Sequence, residues 1–351
     1  MTYIAKPKVH HPSLKPNAIG LTRRDYEGAI TTLCAGCGHD SITAAIIQAF
    51  YELSIPPHKV AKLSGIGCSS KTPAYFLREA HGFNSVHGRM PAVATGANAA
   101  NGDLILIGVS GDGDSLSIGL GQMCHAIRRN VNMAYILENN GVYGLTKGQF
   151  SASADKGSTA KKGEANSMEP IDGVLLALTL GATFVARSFS GDKKQLVPIL
   201  KAAITHRGFA FVDVISPCVT FNDHEGSTKS YAHTREHKVD VVQADFVPRR
   251  DEITTDYEAG SLQNVMLHDG SWVKLRKLAE DYDPTNRDAA YAYVREHQKK
   301  GEVVTGLLYL NGDSQDVHQQ NDTVGVPLYN MPHDQLCPGN DALQKLMSQF
   351  R

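Results

Sequence analysis

The spacing of apolar residues changes along the chain and predicts helices alternating with strands. SITAAIIQAFYEL, from Ser41, has apolar residues at helical spacing, with Asp40 or Ser41 as cap and Pro56-Pro57 as stop. VAKLSGIG reads as a short strand running into Gly-Cys-Ser-Ser, and FNSVHGR as a strand and turn. PAVATGANAAN reads as a small-residue helix with Pro91 in its first turn. LILIGVS is unbroken apolar, as expected of a buried parallel strand, and GDGDS ends it. SLSIGLGQMCHAIRRN reads as one helix. It has Leu116, Leu120, Met123, Cys124 and Ile127 on one side, and Arg128 and Arg129 at the C-terminal end. VNMAYILENN is the next strand, which completes a right-handed parallel crossover unit.

The segment FSASADKGSTAKKGEANSMEP is polar and reads as a long loop, the kind that is often functional. A helix (IDGVLLALTLG), a strand (ATFVARSF), a helix (KQLVPILKAAITH) and a strand (FAFVDVISPC) follow. This alternation predicts the α/β class with a doubly wound parallel sheet. Beyond about residue 245 the pattern weakens. SWVKLRKLAEDY and AAYAYVREHQKKG are predicted helical, EVVTGLLYLNG is a further apolar run, and a proline-dotted tail closes the chain. The expected division is an extended arm at 1–29, the α/β domain at 30–245 and a C-terminal extension at 246–351.

Composition adds exclusions. The chain has 351 residues, 42% hydrophobic and 20% charged, which suits one large domain or two smaller ones. A formal net charge of -1 offers no electrostatic argument for nucleic acid. No apolar run approaches the roughly 18 residues that cross a bilayer. The N-terminal MTYIAKPKVHHPSLKPNAIG is basic without the apolar stretch of a signal peptide, so a cytoplasmic location with no membrane association is expected. In a reducing compartment Cys34, Cys37, Cys68, Cys124, Cys218 and Cys337 are expected as thiols.

Two groups of residues carry candidate chemistry. Gly111-Asp112-Gly113 and Asn139-Asn140 each follow a predicted strand, at the edge where open α/β sheets bind ligands. Asp112 offers an anionic oxygen and Asn140 a carbonyl oxygen, the hard donors magnesium takes alongside phosphate. Gly113 lets backbone approach a diphosphate, and the helix from Asp114 would point its amides there. Taken singly, each motif is also an ordinary turn. The second group is Cys34-Ala-Gly-Cys37 with Cys68 and Cys218, the latter two just past predicted strands. A redox dithiol, half of a zinc site, or four thiolates around a [4Fe–4S] cluster are all open from spacing alone. Cys124 reads as core and Cys337 as a tail thiol.

In order along the chain, CAGCGH, GIGCSSKTP, HGRMPAVATGAN, GDGDSLSIG, HAIRRN, ENNGVYGLTKGQ and SPCVTFN resemble the β subunit of 2-oxoacid:ferredoxin oxidoreductases. The likeness covers roughly residues 30 to 225 and is greatest to the 2-oxoglutarate type. It implies a thiamine-diphosphate-binding domain and cofactors thiamine diphosphate, Mg2+ and a [4Fe–4S] cluster. The reaction it implies is reversible oxidative decarboxylation of a 2-oxoacid to an acyl-CoA, succinyl-CoA for 2-oxoglutarate, with electrons passed to ferredoxin. It assigns the cluster to Cys34, Cys37, Cys68 and Cys218. It assigns Mg2+ to Asp112, Asn140 and the carbonyl of Val142. Cofactor contacts fall to Ile66, Gly67, Cys68, Ser69, His87, Gly113, Asp114, Gly144 and Leu145. Lys71 and Lys147 become candidates for the substrate carboxylates, against a reading as solvated surface lysines. With one such domain present, an alpha subunit carrying the pyrimidine-binding domain is expected to supply the catalytic glutamate, in an (alpha-beta)2 heterotetramer. Glu138 reads as structural. Two features depart from the family: the loop FSASADKG, where relatives often have proline-threonine, and a longer chain end. The same reaction on pyruvate or a branched 2-oxoacid, a non-redox thiamine-diphosphate decarboxylase or synthase, and a zinc scaffold are the alternatives.

Overall fold

The apolar runs become neighbouring strands of one sheet in a computed structural model that describes residues 13–159, 165–247, 262–266, 272–277, 282–337 and 339–350. In chain order the first half holds α1 (Gly38–Leu53), β1 (Val60–Ser64), β2 (His81–Asn84), α2 (Met90–Ala100), β3 (Ile105–Gly111), α3 (Leu120–Arg128) and β4 (Met133–Asn139). A small hairpin, β5 (Val142–Tyr143) with β6 (Gln149–Phe150), stands apart from the main sheet. Then come α4 (Gly173–Leu180), β7 (Phe184–Phe189), α5 (Lys193–Thr205), β8 (Phe209–Ile215), α6 (Tyr231–His237) and β9 (Lys238–Val247). β10 (Leu262–Met266), β11 (Trp272–Lys277), α7 (Arg287–Lys299) and β12 (Val303–Leu310) follow.

The sheet has ten strands in the order β10-β11-β9-β12-β7-β8-β4-β3-β1-β2. From β7 to β2 every neighbour is parallel. α1 packs with α5, while α2, α3, α4 and α7 pack in succession as a second layer. Sandwiched between them, β4 and β8 are buried at every position, as their continuous apolar sequence requires. Tyr135 of β4 packs on Phe209 and Phe211 of β8 with ring centroids 5.6 and 6.0 Å apart. The doubly wound fold is therefore as expected, and the C-terminal chain adds β9 to β12 to the same sheet.

Three local expectations need correction. α1 begins at Gly38 with Cys37 as its cap, earlier than Asp40 or Ser41. A tertiary contact decides this: the Gly38 amide donates to the Pro217 carbonyl at 3.2 Å, and a Cβ on Gly38 would lie 2.5 Å from Ser216 Oγ. The single helix expected from Ser115 is broken. A π-helical turn, Gly113–Ile118, precedes α3. Gly119, between them, packs against Gly88 so closely that a Cβ on Gly88 would meet its Cα at 2.5 Å. Leu120 and Cys124 consequently stay partly exposed, whereas Leu116, Met123 and Ile127 are buried. WVKLRK is a strand and not a helix, because β11 is captured antiparallel between β9 and β10; Ser271 before it lies outside the described residues. The rest of that helical expectation, at 278–281, and the first twelve residues of the expected arm lie outside the described residues.

A buried ion network ties the sheet to α4. Arg187 of β7 donates from Nε to Asp213 of β8 and from Nη2 to Asp172, the cap of α4, each at 2.8 Å. Burial opposes the charge on Asp172, but Arg187 outweighs it and holds the carboxyl below the usual range. A depressed carboxyl adds stability above its unfolded value, about pH 3.9, and loses that contribution as pH falls through the folded value. Asp172→Asn is expected to cost about 3 kcal/mol at neutral pH, because a buried cation loses a partner. It should also flatten the acid side of the stability profile. Urea unfolding between pH 3 and 7 measures both, and an unchanged profile would refute the assignment.

Candidate active site at the carboxyl edge of the sheet

Parallel strands end on one edge, so β1, β3, β4 and β8 deliver the segments of Cys68, Asp112, Asn140 and Cys218 to the same side of the molecule. One cleft there is lined by Ile66, Gly67, Cys68, Ser69, His87, Asp112, Gly113, Asp114, Asn140, Val142, Gly144 and Leu145. His39, Gly111, Ile118, Tyr143 and Thr146 complete the wall. The mouth is apolar and open, with Ile118 45% and Leu145 51% exposed. Lys71 and Lys147 do not line it. Lys71 is half-buried on the short turn Ser69–Ala74, and Lys147 is exposed at the tip of the β5–β6 hairpin. Lys147 has φ 82°, a left-handed backbone that costs a lysine energy.

The floor of the cleft is a set of oxygen donors. Asp112 is 1% exposed, and burial raises its carboxyl above the usual range. Its Oδ2 accepts from the Ser151 hydroxyl and, at 2.7 Å, from Ser153; its Oδ1 receives a long 3.4 Å bond from the Asn140 amide. Asn140 Oδ1 accepts from the Val142 amide at 3.0 Å, and Asn222 holds the Asn140 carbonyl at 2.7 Å. Gly113 must be glycine here, because a Cβ would lie 2.4 Å from the Tyr143 ring. Asp114 lines the cleft and also ties two loops to β3: it accepts from Gly88 N at 2.8 Å, Ile66 N at 3.3 Å and Ser110 Oγ of β3 at 2.7 Å.

The thiols gather beside this floor. The Cys68 and Cys218 sulfurs each lie 3.6 Å from the point a Cβ would occupy on Gly144. Cys34 Sγ accepts from Thr220 Oγ1 at 3.4 Å, in the loop that follows Cys218. Cys37 N donates to Cys34 O at 3.0 Å, and the next amide bonds to Pro217 O. Burial raises Cys68 and Cys218, and pushes Cys37 up to about 12. Among the described residues, no three His, Cys, Asp or Glu side chains converge as a single ion would require. Cys124 is partly exposed on α3, and Cys337 is exposed in the tail.

Behind the thiols, His39 Nδ1 lies 2.6 Å from Ser216 Oγ and 3.5 Å from Glu138. Burial lowers His39 to about 4 and raises Glu138 well above the carboxylate range. Burial thus opposes charge on both members of the pair. Among the described residues, neither Glu138 oxygen has a hydrogen-bond partner.

The family described as "Thiamine pyrophosphate enzyme, C-terminal TPP binding domain" matches residues 65–214. The "2-oxoacid:ferredoxin oxidoreductase subunit beta" of a Sulfolobus species is 43% identical over 210 residues, 60% of this chain and 68% of that protein. The chain belongs to the 2-oxoacid:ferredoxin oxidoreductase beta-subunit family. The "2-oxoglutarate oxidoreductase subunit KorB" of Mycobacterium tuberculosis is 44% identical over 60% of this chain and 58% of that protein. A solved 2-oxoglutarate:ferredoxin oxidoreductase from Magnetococcus marinus superposes with a TM-score of 0.71 at 31% identity, over 92% of this chain and 99% of that one.

Within this beta subunit, sequence reasoning overlooked His39, Tyr143, Ser151 and Ser153. His39 lies two residues after Cys37 of the CxxC motif, which was a usable signal; the two serines in their polar loop carried none. The fit between Gly65 and Asp114 gives a direct test. A Cβ on Gly65 would lie 1.8 Å from Asp114 Oδ2. Gly65→Ala should displace Asp114 and destabilise the subunit by about 1–3 kcal/mol. Urea denaturation checks this, and wild-type stability would show that the close approach is not required.

Proposed function

We propose that this beta subunit works with an alpha subunit as a CoA-dependent 2-oxoglutarate:ferredoxin oxidoreductase. The reaction is the reversible conversion of 2-oxoglutarate to succinyl-CoA and carbon dioxide, with electrons leaving through a [4Fe–4S] cluster to ferredoxin. One observation carries the reading: Cys68 belongs both to the oxygen-donor cleft and to the group of thiols packed on Gly144. A redox centre and a diphosphate cofactor would then share a wall. The Magnetococcus marinus enzyme was solved with 2-oxoglutarate, coenzyme A and succinyl-CoA bound, which supports this substrate over pyruvate.

The residues present fit the groups the family implies. Asp112, Asn140 and the Val142 carbonyl form a hard, neutral-plus-anionic oxygen set suited to magnesium. Burial raises the Asp112 carboxyl even with hydrogen bonds from Ser151 and Ser153, and a cation there would favour its charged form. Thiamine diphosphate, when bound, supplies the electron sink that lets a 2-oxoacid lose carbon dioxide. Gly113 leaves room for backbone to approach the diphosphate, and Ile66, Gly67, Ser69, His87, Asp114, Gly144 and Leu145 would frame the rest. Cys34, Cys37, Cys68 and Cys218 would hold the cluster. The raised thiols of Cys37, Cys68 and Cys218 must shed protons for this, so assembly is favoured by higher pH. Lys71 and Lys147 would pair with the two substrate carboxylates from outside the cleft. The catalytic glutamate, the pyrimidine-binding domain and the (alpha-beta)2 assembly are assigned to the alpha subunit's side. A cytoplasmic location accompanies a cluster bound by thiolates.

The test is the complex co-purified anaerobically with its alpha subunit. It should be brown, contain iron, sulfide and thiamine diphosphate, and reduce a viologen dye with 2-oxoglutarate and CoA in preference to pyruvate. Cys218→Ala should lose iron and dye reduction together. Lys147→Met should raise KM for 2-oxoglutarate about tenfold, the cost of one charge-assisted contact. A colourless, iron-free complex that still turns over the oxoacid would contradict the redox assignment.

A further inference from the structure

Asp112 is held by the loop that begins at β6. FSASADKG places Ser151 and Ser153 two residues apart, and both hydroxyls reach the same carboxylate oxygen, Oδ2. The two serines are also 3.1 Å from each other, and both are buried. Ser153 Oγ lies 2.9 Å from Asn139 Oδ1 as well. Its single proton therefore sits between Asp112 and Asn139, while Ser151 donates to Asp112.

The orientation of Asn139 is itself set from behind. Its amide nitrogen donates to Asp213 Oδ1 at 3.1 Å, which turns its carbonyl oxygen toward Ser153. The other oxygen of Asp213 is taken by Arg187 at 2.8 Å, and Arg187 is fixed in turn by Asp172. Gln298 of α7 donates to Asp172, so the C-terminal extension closes the chain of contacts. Asp213, Asn139, Ser153 and Arg187 are all buried, where such bonds are strong and leave side chains little freedom.

We infer that Ser151 and Ser153 are positioning residues for the metal, and that the Asn139–Asp213–Arg187 chain holds Ser153 in place. They saturate Oδ2 and leave Oδ1 of Asp112 turned toward Asn140 as the one oxygen available to a cation. Metal ligands are commonly fixed in this way by hydrogen bonds from outside the coordination sphere, and loss of those bonds costs roughly 10–100-fold in affinity. The inference rests on reading the cleft as a magnesium-diphosphate site.

Mn2+ serves as the probe, with free Mn2+ measured by electron paramagnetic resonance on the alpha–beta complex in the presence of thiamine diphosphate. Ser151→Ala/Ser153→Ala should weaken Mn2+ binding on the order of 10–100-fold while iron content stays at the wild-type level. Ser153→Ala alone should weaken it less, and Ser153→Thr, which keeps the hydroxyl, should restore it. The single alanine and the threonine variant carry the test where the double variant does not fold. Equal Mn2+ affinity in wild type and the alanine variants would overturn the role of the serines and leave the site reading intact. A wild-type complex that binds no Mn2+ with thiamine diphosphate would overturn the site reading, and this inference with it.

Discussion

The shared direction of β1, β3, β4 and β8 is the constraint on which this molecule depends. Parallel pairing forces the four strand ends onto one edge, so a thiol after β1, a carboxylate after β3, a carboxamide after β4 and a second thiol after β8 become neighbours. They are far apart in sequence, and only the sheet joins them. The central strands can hold that geometry because they are buried on both faces and packed between two helix layers. Glycines then set how closely the loops approach. Gly113 admits the Tyr143 ring, Gly65 admits Asp114, and Gly144 lies against two sulfurs.

The chemistry of the edge follows from burial without compensation. Asp112, Glu138 and three of the four candidate cluster thiols all have raised pKa values, with desolvation the leading cause in each case. A stable interior does not collect such groups unless something satisfies them. On β7, by contrast, the buried charge of Arg187 is paired with Asp172 and Asp213. The contrast separates groups that the chain satisfies by itself from groups that the proposed cation and cluster would satisfy. The polar chain from Arg187 to Asp112 joins the two regions.

The C-terminal residues broaden the sheet. β12 enters antiparallel to β7 and parallel to β9, and α7 packs on α4. The extension thereby covers the β7 edge, which would otherwise end the sheet with unpaired backbone groups. It also supports Asp172 through Gln298, on the far side of the polar chain from the cleft.

Much of this was legible in the sequence, because it depends on local pattern. Unbroken apolar runs identified the parallel strands, glycine and proline marked their ends, and GDG, NN and the cysteine motifs fell at those ends. Topology alone then predicted that they would meet. What sequence could not supply was any contact set by packing between distant segments. The early start of α1 is decided by Pro217 and Ser216, the break before α3 by Gly88, and the strand at Trp272–Lys277 by pairing with β9 and β10. The roles of Ser151 and Ser153 belong here too. A serine in a polar loop has no distinguishing local signal, and only the fold brings its hydroxyl to a buried carboxylate. Periodicity records which face of an element is buried, and hydrogen-bond partners are settled only when those faces come together.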